Sequence, residues 1–265
     1  MSWQQLLRWY GDAGVDEAVG ERPIDRYAAV AEAPRPPTMA AVAGASDAMP
    51  RSRPPAAAAV PPAQGATSAH LAMACESLAE LKAAMEAYDG CPLKRSCQRT
   101  VFADGNPQAR VMLIGEAPGA DEDRIGLPFV GASGRLLDRM LASIGLDRSS
   151  AYIANVVPWR PPGNRKPEPA EVELCLPFIG RHIELVDPAL LILLGGAAAS
   201  ALLARQEAIS RLRGRWAQYS SPRLARPIPA MPTYHPAFLL RTPASKREAW
   251  RDLLAVRKRL DELDQ

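Results

Sequence analysis

Apolar positions along this chain fall into two rhythms. After Ser77, the residues Leu78, Leu81, Met85 and Tyr88 recur three or four apart, the spacing of one helix face. Ser77 and Glu80 give the S-x-x-E pattern that caps a helix start. Residues 110–115 (RVMLIG) form a short apolar run of strand length. Residues 133–144 return to helical spacing, with Leu136, Leu137, Met140, Leu141 and Ile144 on one face. A second strand is predicted over 151–157 (AYIANVV). A helix follows over 169–185, with Pro169 at its start and Val172, Cys175, Ile179 and Ile183 on one face. Residues 189–194 (ALLILL) predict a third strand, entering a helix through Gly195 and Gly196. Residues 228–234 predict a fourth strand, and 246–260 an amphipathic closing helix. Apolar strands that alternate with helices specify an α/β protein, here a three-layer α/β/α sandwich around a central, mainly parallel four-stranded sheet. Such sheets take ligands beyond the carboxyl ends of their strands. That rule selects the loops 115–131, 155–167, 195–197 and 234–241.

Composition changes the picture only at the N-terminal side. Residues 31–70 contain no Leu, Ile, Phe, Tyr or Trp and are dense in Pro and Ala. Such a stretch buries too little apolar surface to offset chain entropy, and a disordered linker is expected. Residues 1–30 are expected to form an extension with a short helix around Trp3, Leu6, Leu7 and Tyr10, and 71–265 the functional domain. The 32 Lys and Arg against 29 Asp and Glu leave a net charge of +3, which neither demands nor excludes nucleic acid. Four cysteines and no recognisable signal peptide point to free thiols or metal ligands, not to a disulfide framework. No apolar run reaches the roughly 18 residues of a membrane span. A soluble protein of the bacterial cytoplasm, monomeric and without membrane contact, is expected.

The selected loops concentrate chemistry. Residues 115–134 read GEAPGADEDRIGLPFVGASG, five glycines with Glu116, Asp121, Glu122, Asp123 and one aromatic, Phe129. Asp121 and Asp123 read as solvated charges, and Phe129 as a partly exposed ring. Asn155 ends its strand with both a donor and an acceptor, and Arg160, Asn164, Arg165 and Lys166 follow it. His235 follows the fourth strand and is fixed by Pro236. An aromatic ring, an amide, an imidazole and a carboxylate on one edge suit a flat, hydrogen-bonding heterocycle and a bond-breaking step. The acidic run argues against a phosphate-binding glycine loop.

Five ordered motifs, GEAPG, EDxxGxPFVGxSGxLLDxML, YIxNVVxxRPPGNRxP, CLPF and TYHPAxLLR, resemble the family 4 uracil-DNA glycosylases over roughly residues 78–254. The resemblance implies a hydrolase that releases uracil from DNA, leaves an abasic site and starts base excision repair. It implies that Phe129 stacks on the flipped uracil and that Asn155 reads its edge. His235 would donate to uracil O2, Glu116 would lie by the sugar and the attacking water, and Asn164 would help hold that water. Glu122 would stand where a C5 methyl projects, and Gly115 and Ala117 would line the base site. Arg160, Arg165, Phe238, Leu239 and Arg241 are the expected DNA contacts, with Phe238, Leu239 and Leu240 as a wedge into the vacated space. Uracil-containing DNA and free uracil are thus the expected partner and product.

The family's [4Fe–4S] cluster takes four cysteines. Cys91 and Cys175 match two of those positions; Tyr88 and Trp159 stand at the other two, and Cys75 and Cys97 lie off them. The expectation is that the cluster is lost and the chain carries no cofactor and no metal. A related group, with a basic insert after the first motif, binds uracil-DNA covalently; this chain lacks the insert. A non-turnover or covalent uracil-DNA binder is the competing class.

Overall fold

The computed structural model describes residues 67–263. The expected N-terminal helix and nearly all of the expected linker lie outside these residues. The linker expectation runs too far at its C-terminal end. Residues from Ser68 are helical, Thr67 caps them with its hydroxyl, and Ala72 is buried.

In chain order the helices are α1 (Ser68–Ala74), α2 (Leu78–Ala87), α3 (Ala120–Ile125), α4 (Ala132–Ala142), α5 (Pro169–Val186), α6 (Gly196–Leu203), α7 (Ile209–Leu212), α8 (Pro236–Arg241) and α9 (Lys246–Leu263). The strands are β1 (Asp104–Gly105), β2 (Val111–Gly115), β3 (Ala151–Asn155), β4 (Leu190–Leu194), β5 (Ala217–Tyr219) and β6 (Ile228–Thr233). The sheet order is β1-β3-β2-β4-β6-β5. The four predicted strands form its parallel centre. β1 and β5 add short antiparallel edges. At two and three residues they are too short to carry a periodic signal.

The alternation along each strand divides two cores. Met112, Ile114, Tyr152, Ala154, Leu191 and Leu193 face α1, α2, α5 and α6, joining Leu81, Phe178, Ile183 and Ala199. Val111, Leu113, Ile153, Leu190 and Ile192 face the other way, against Leu137, Leu141, Leu253 and Val256 of α4 and α9. Both sheet faces are therefore covered, giving the three layers. Burying an aliphatic side chain contributes about 1.5–3 kcal/mol, which is why these runs contain almost no polar residue.

Ser77 caps α2 as expected, its hydroxyl accepting from the Glu80 N–H at 3.2 Å. The Glu80 carboxylate reaches one residue further back than a capping box requires, to the Glu76 N–H at 2.7 Å. His182 of α5 is buried; its Nε2 and the Tyr152 hydroxyl lie 2.8 Å apart, and Phe102 stacks on it.

Chain order places β3 on one side of β2 and β4 on the other. This is the reversal that opens a crevice at the carboxyl ends of an α/β sheet. Register then aligns what stands there. Gly115 pairs with Asn155, and Leu194 with Thr233, two residues before His235.

Candidate active site

A cleft of about 580 Å³ opens at that crevice. Glu116, Ala117, Glu122, Phe129, Asn155, Asn164, Arg165, His235, Phe238 and Arg241, ten of the residues singled out above, line it. Gly115 lies directly beneath: a Cβ there would stand 2.4 Å from Asn155 Oδ1 and 2.6 Å from Phe129 Cζ. Only glycine lets amide and ring approach the strand end this closely.

Phe129 is buried, not partly exposed as its loop setting suggests. Its backbone is left-handed (φ 54°), which is costly for an aromatic residue. Several groups hold it there. Arg148 donates to the Phe129 and Pro128 carbonyls while Asp104 and Asp138 hold its guanidinium. Gly134 leaves room for the Phe129 carbonyl, which a Cβ at that position would strike at 1.7 Å. The ring then faces His235 at 5.5 Å.

Asn155 is buried at the end of β3, and its Nδ2 has no hydrogen-bond partner among the described residues. An unsatisfied buried donor costs about 1–3 kcal/mol, so a group of the right kind in the cleft would relieve that cost.

His235 caps α8 in an unusual way: its Nδ1 accepts from the Ala237 N–H at 3.1 Å. The neutral ring must then carry its proton on Nε2. Burial, and after it the charge of Arg241, lower the pKa from 6.5 to about 4. The imidazole is therefore neutral across the physiological range, a donor without a net charge. Glu116 shifts the other way: burial raises its pKa, and the charge of Lys166 partly opposes this.

The acidic run is built into the scaffold more than its sequence suggests. Residues 120–125 form α3, and Glu122 clamps its start. Its carboxylate accepts from the Gly119 N–H at 3.0 Å and from the Val130 and Gly131 N–H groups at 2.9 Å each. Asp123 is buried, accepting from the Gln98 and Arg99 N–H groups at 2.7 and 3.2 Å. This corrects its reading as a solvated charge; Asp121 does remain exposed.

The expected DNA contacts divide. Phe238 is half-buried and Arg241 exposed, both at the cleft. Leu239 is corrected: it is 1% exposed and packs inward, because helix phase turns it toward the core and leaves Leu240 outward. Arg165 forms a bidentate pair with Glu171 at 2.8 and 2.6 Å. Arg160 lies outside the lining and donates to Asn164 Oδ1 at 2.8 Å. Lys166, named in the sequence but given no role, lines the cleft; nothing in its spacing marked it out from Arg165.

Residues 102–254 match the model of the uracil DNA glycosylase superfamily. The chain is similar to the type-4 uracil-DNA glycosylase of Pyrobaculum aerophilum, 40% identical over 169 residues, covering 62% of this chain and 85% of that protein. It is likewise similar to the type-4 enzyme of Archaeoglobus fulgidus, 39% identical over 177 residues, covering 65% and 88%. The type-4 enzyme of Thermotoga maritima is 37% identical over 152 residues, covering 57% and 77%.

These relatives correct the expectation of no cofactor. They are of the type for which a [4Fe–4S] cluster is implied, so likeness to them argues for the group and against its loss. The expectation extended two replaced side chains to the whole group. Cys91 and Cys175 are both buried in the same core cluster. The Tyr88 ring stands 6.2 Å from that of Trp159 and 5.3 Å from that of Phe178. Two thiols are half of a four-thiolate set. Among the described residues no group of three or more His, Cys, Asp or Glu is placed to hold a metal. These side chains alone do not fit the cluster, and no step of the mechanism runs through it.

Proposed function

The chain belongs to the uracil-DNA glycosylase superfamily, and from that premise we propose that it hydrolyses the N-glycosidic bond of deoxyuridine in DNA, opening base excision repair. The observation that carries this reading is the buried, unpartnered Asn155 Nδ2 beside Phe129 and His235. An amide needing an acceptor, next to an aromatic face and a neutral imidazole donor, matches the edge and plane of uracil.

In this reading the deoxyuridine leaves the helix stack, since its C1′ is otherwise out of reach. Its ring lies on Phe129. Asn155 donates to O4 and accepts from N3–H, and His235 Nε2–H donates to O2. As the C1′–N1 bond breaks, its electron pair moves onto the base and positive charge builds on the sugar. His235 stabilises the anion, and a fixed donor of this kind contributes more in the transition state than in the ground state. Glu116, ionised, faces the sugar cation and takes the proton of the attacking water, which Asn164 helps hold. Glu122, locked by three N–H groups, presents a rigid wall toward C5 that disfavours thymine. Phe238 and Leu240 fill the space the base vacates, and Arg241 and Lys166 meet phosphates. No described helix is long and apolar enough to cross a membrane.

The test is an oligonucleotide with a single uracil, incubated with the protein and then treated with alkali. Cleavage at the uracil position is expected, with none in a thymine-containing control. An intact uracil strand after prolonged incubation would end this reading.

A further inference from the structure

The cleft's own charges oppose a polyanion. Glu116, Asp121 and Glu122 line it. Of the nearby cations, Arg165 is engaged by Glu171 and Arg160 by Asn164. Lys166 and Arg241 are left to meet phosphates there, against three carboxylates, and further cations able to hold the DNA that flanks the flipped nucleotide must be supplied from elsewhere.

α9 is placed to do so. One 3-10 turn, Pro243–Ser245, separates it from α8, whose Arg241 stands at the cleft. Its inner face, with Ala249, Leu253, Val256 and Leu260, is buried in the core. Its outer face carries Arg247, Trp250, Arg251, Leu254 and Lys258, all exposed. Their spacing of three, one, three and four makes one continuous stripe. Arg247, Arg251 and Lys258 have no ion-pair partner among the described residues. Trp250 and Leu254 remain 40% and 46% exposed between them. Guanidinium groups interleaved with an exposed indole complement a strand of phosphates and base faces.

We propose that the outer face of α9 is a second DNA contact, which holds the strand leaving the cleft past Arg241. Arg247 and Arg251 meet backbone phosphates, and Trp250 packs on a flanking base. This inference rests on the glycosylase reading.

The experiment measures affinity for DNA carrying a non-cleavable uracil analogue as salt is varied. It compares the wild type, Arg247→Gln/Arg251→Gln, and a control pair off α9, Arg110→Gln/Arg226→Gln. The control removes the same charge from a cleft at the opposite edge of the sheet, where Ala189 and Pro229 precede β4 and lie in β6. Each phosphate contact adds about 0.7–0.9 to the slope of log affinity against log salt. The α9 pair should lower the slope by about 1.5 on that scale, and the control should leave it unchanged. Trp250→Ala should weaken binding about five- to hundredfold, the usual worth of one stacked base. Arg247→Lys/Arg251→Lys, which keeps the charge, should restore the slope. Equal slopes in the two Gln pairs would overturn the proposal and leave the stripe to a protein partner; so would failure of the Lys pair to restore it. Uracil release by the wild type is scored on the matching cleavable DNA. Release combined with equal slopes sinks this contact alone, whereas no release sinks the reading beneath it.

Discussion

Asn155 and His235 divide recognition from chemistry, and their substitutions should separate accordingly. His235→Ala is expected to lower the single-turnover rate of uracil release by roughly 10²–10³, the usual effect of removing one donor to a developing anion. Affinity for a non-cleavable analogue should change far less, because O2 gains its charge only as the bond breaks. Asn155→Ala should weaken both. A His235→Ala protein that cleaves normally yet binds poorly would make the histidine a positioning residue. The pH profile tests the same pair. Burial keeps His235 neutral down to about pH 4, so its ionisation should leave the rate level above that. Burial raises Glu116, so the acid limb should be its own and lie above the ordinary carboxylate range. Glu116→Gln should lower the rate and abolish the limb; a limb that survives the substitution belongs to another group. That Phe129, Asn155, Glu116 and His235 meet at one cleft was legible in the sequence because each stands next to a strand end or a glycine turn; the burial of Phe129 was not. Asp123 and Leu239 were not. Their environments depend on Gln98 and Arg99 in one case and on helix phase in the other, contacts that local pattern does not encode.

At the scale of elements, the loop that carries Phe129 depends on groups far away in sequence. The left-handed backbone at Phe129 costs about 1–3 kcal/mol and is sustained by Arg148 and Gly134. Arg148→Met should therefore weaken capture of the uracil analogue more than it slows cleavage at saturation. Its effect should largely vanish in a Phe129→Ala background. Full additivity of the two, in binding measurements on folded proteins, would show that Arg148 acts on stability alone. The helix α1 supplies a second case. Its Ala72 is buried, and the carbonyl of Cys75, just beyond it, accepts from buried Arg181 at 2.8 Å. Deleting residues 1–66 should leave uracil release largely intact, whereas extending the deletion through residue 76 should lower the melting temperature sharply and leave Arg181 short of a partner. Equal melting temperatures for the two truncations would contradict that role. The longer helices were readable from their periodicity, and the four central strands from short apolar runs. α1, α3 and the two edge strands were not, since each is seven residues or fewer and is held by tertiary contacts.

Across the whole molecule, two histidines with lowered pKa values, His182 buried and His235 partly so, make acid a destabilising agent. His235 is lowered to about 4 and His182 to about 3, both chiefly by burial. In the unfolded chain each titrates near the ordinary 6.5 and binds its proton first. Stability is therefore fully present above about pH 6.5 and is lost as pH falls toward 4 and 3. His182→Gln should flatten the fall in melting temperature between pH 6.5 and 4; an unchanged slope would place the acid sensitivity elsewhere. The three-layer order was legible as a whole because short, continuously apolar strand runs and period-3.6 helices alternate along the chain. The cofactor was misjudged because sequence shows which ligands are replaced but not what the family context still requires. The central claim is catalytic turnover, and it is tested most directly by adding uracil-containing DNA in hundredfold excess over protein and quantifying free uracil. The account predicts many equivalents of uracil per protein molecule, with the mass of the protein unchanged. Release that stops at one equivalent with a protein–DNA adduct, or no release at all, would contradict it.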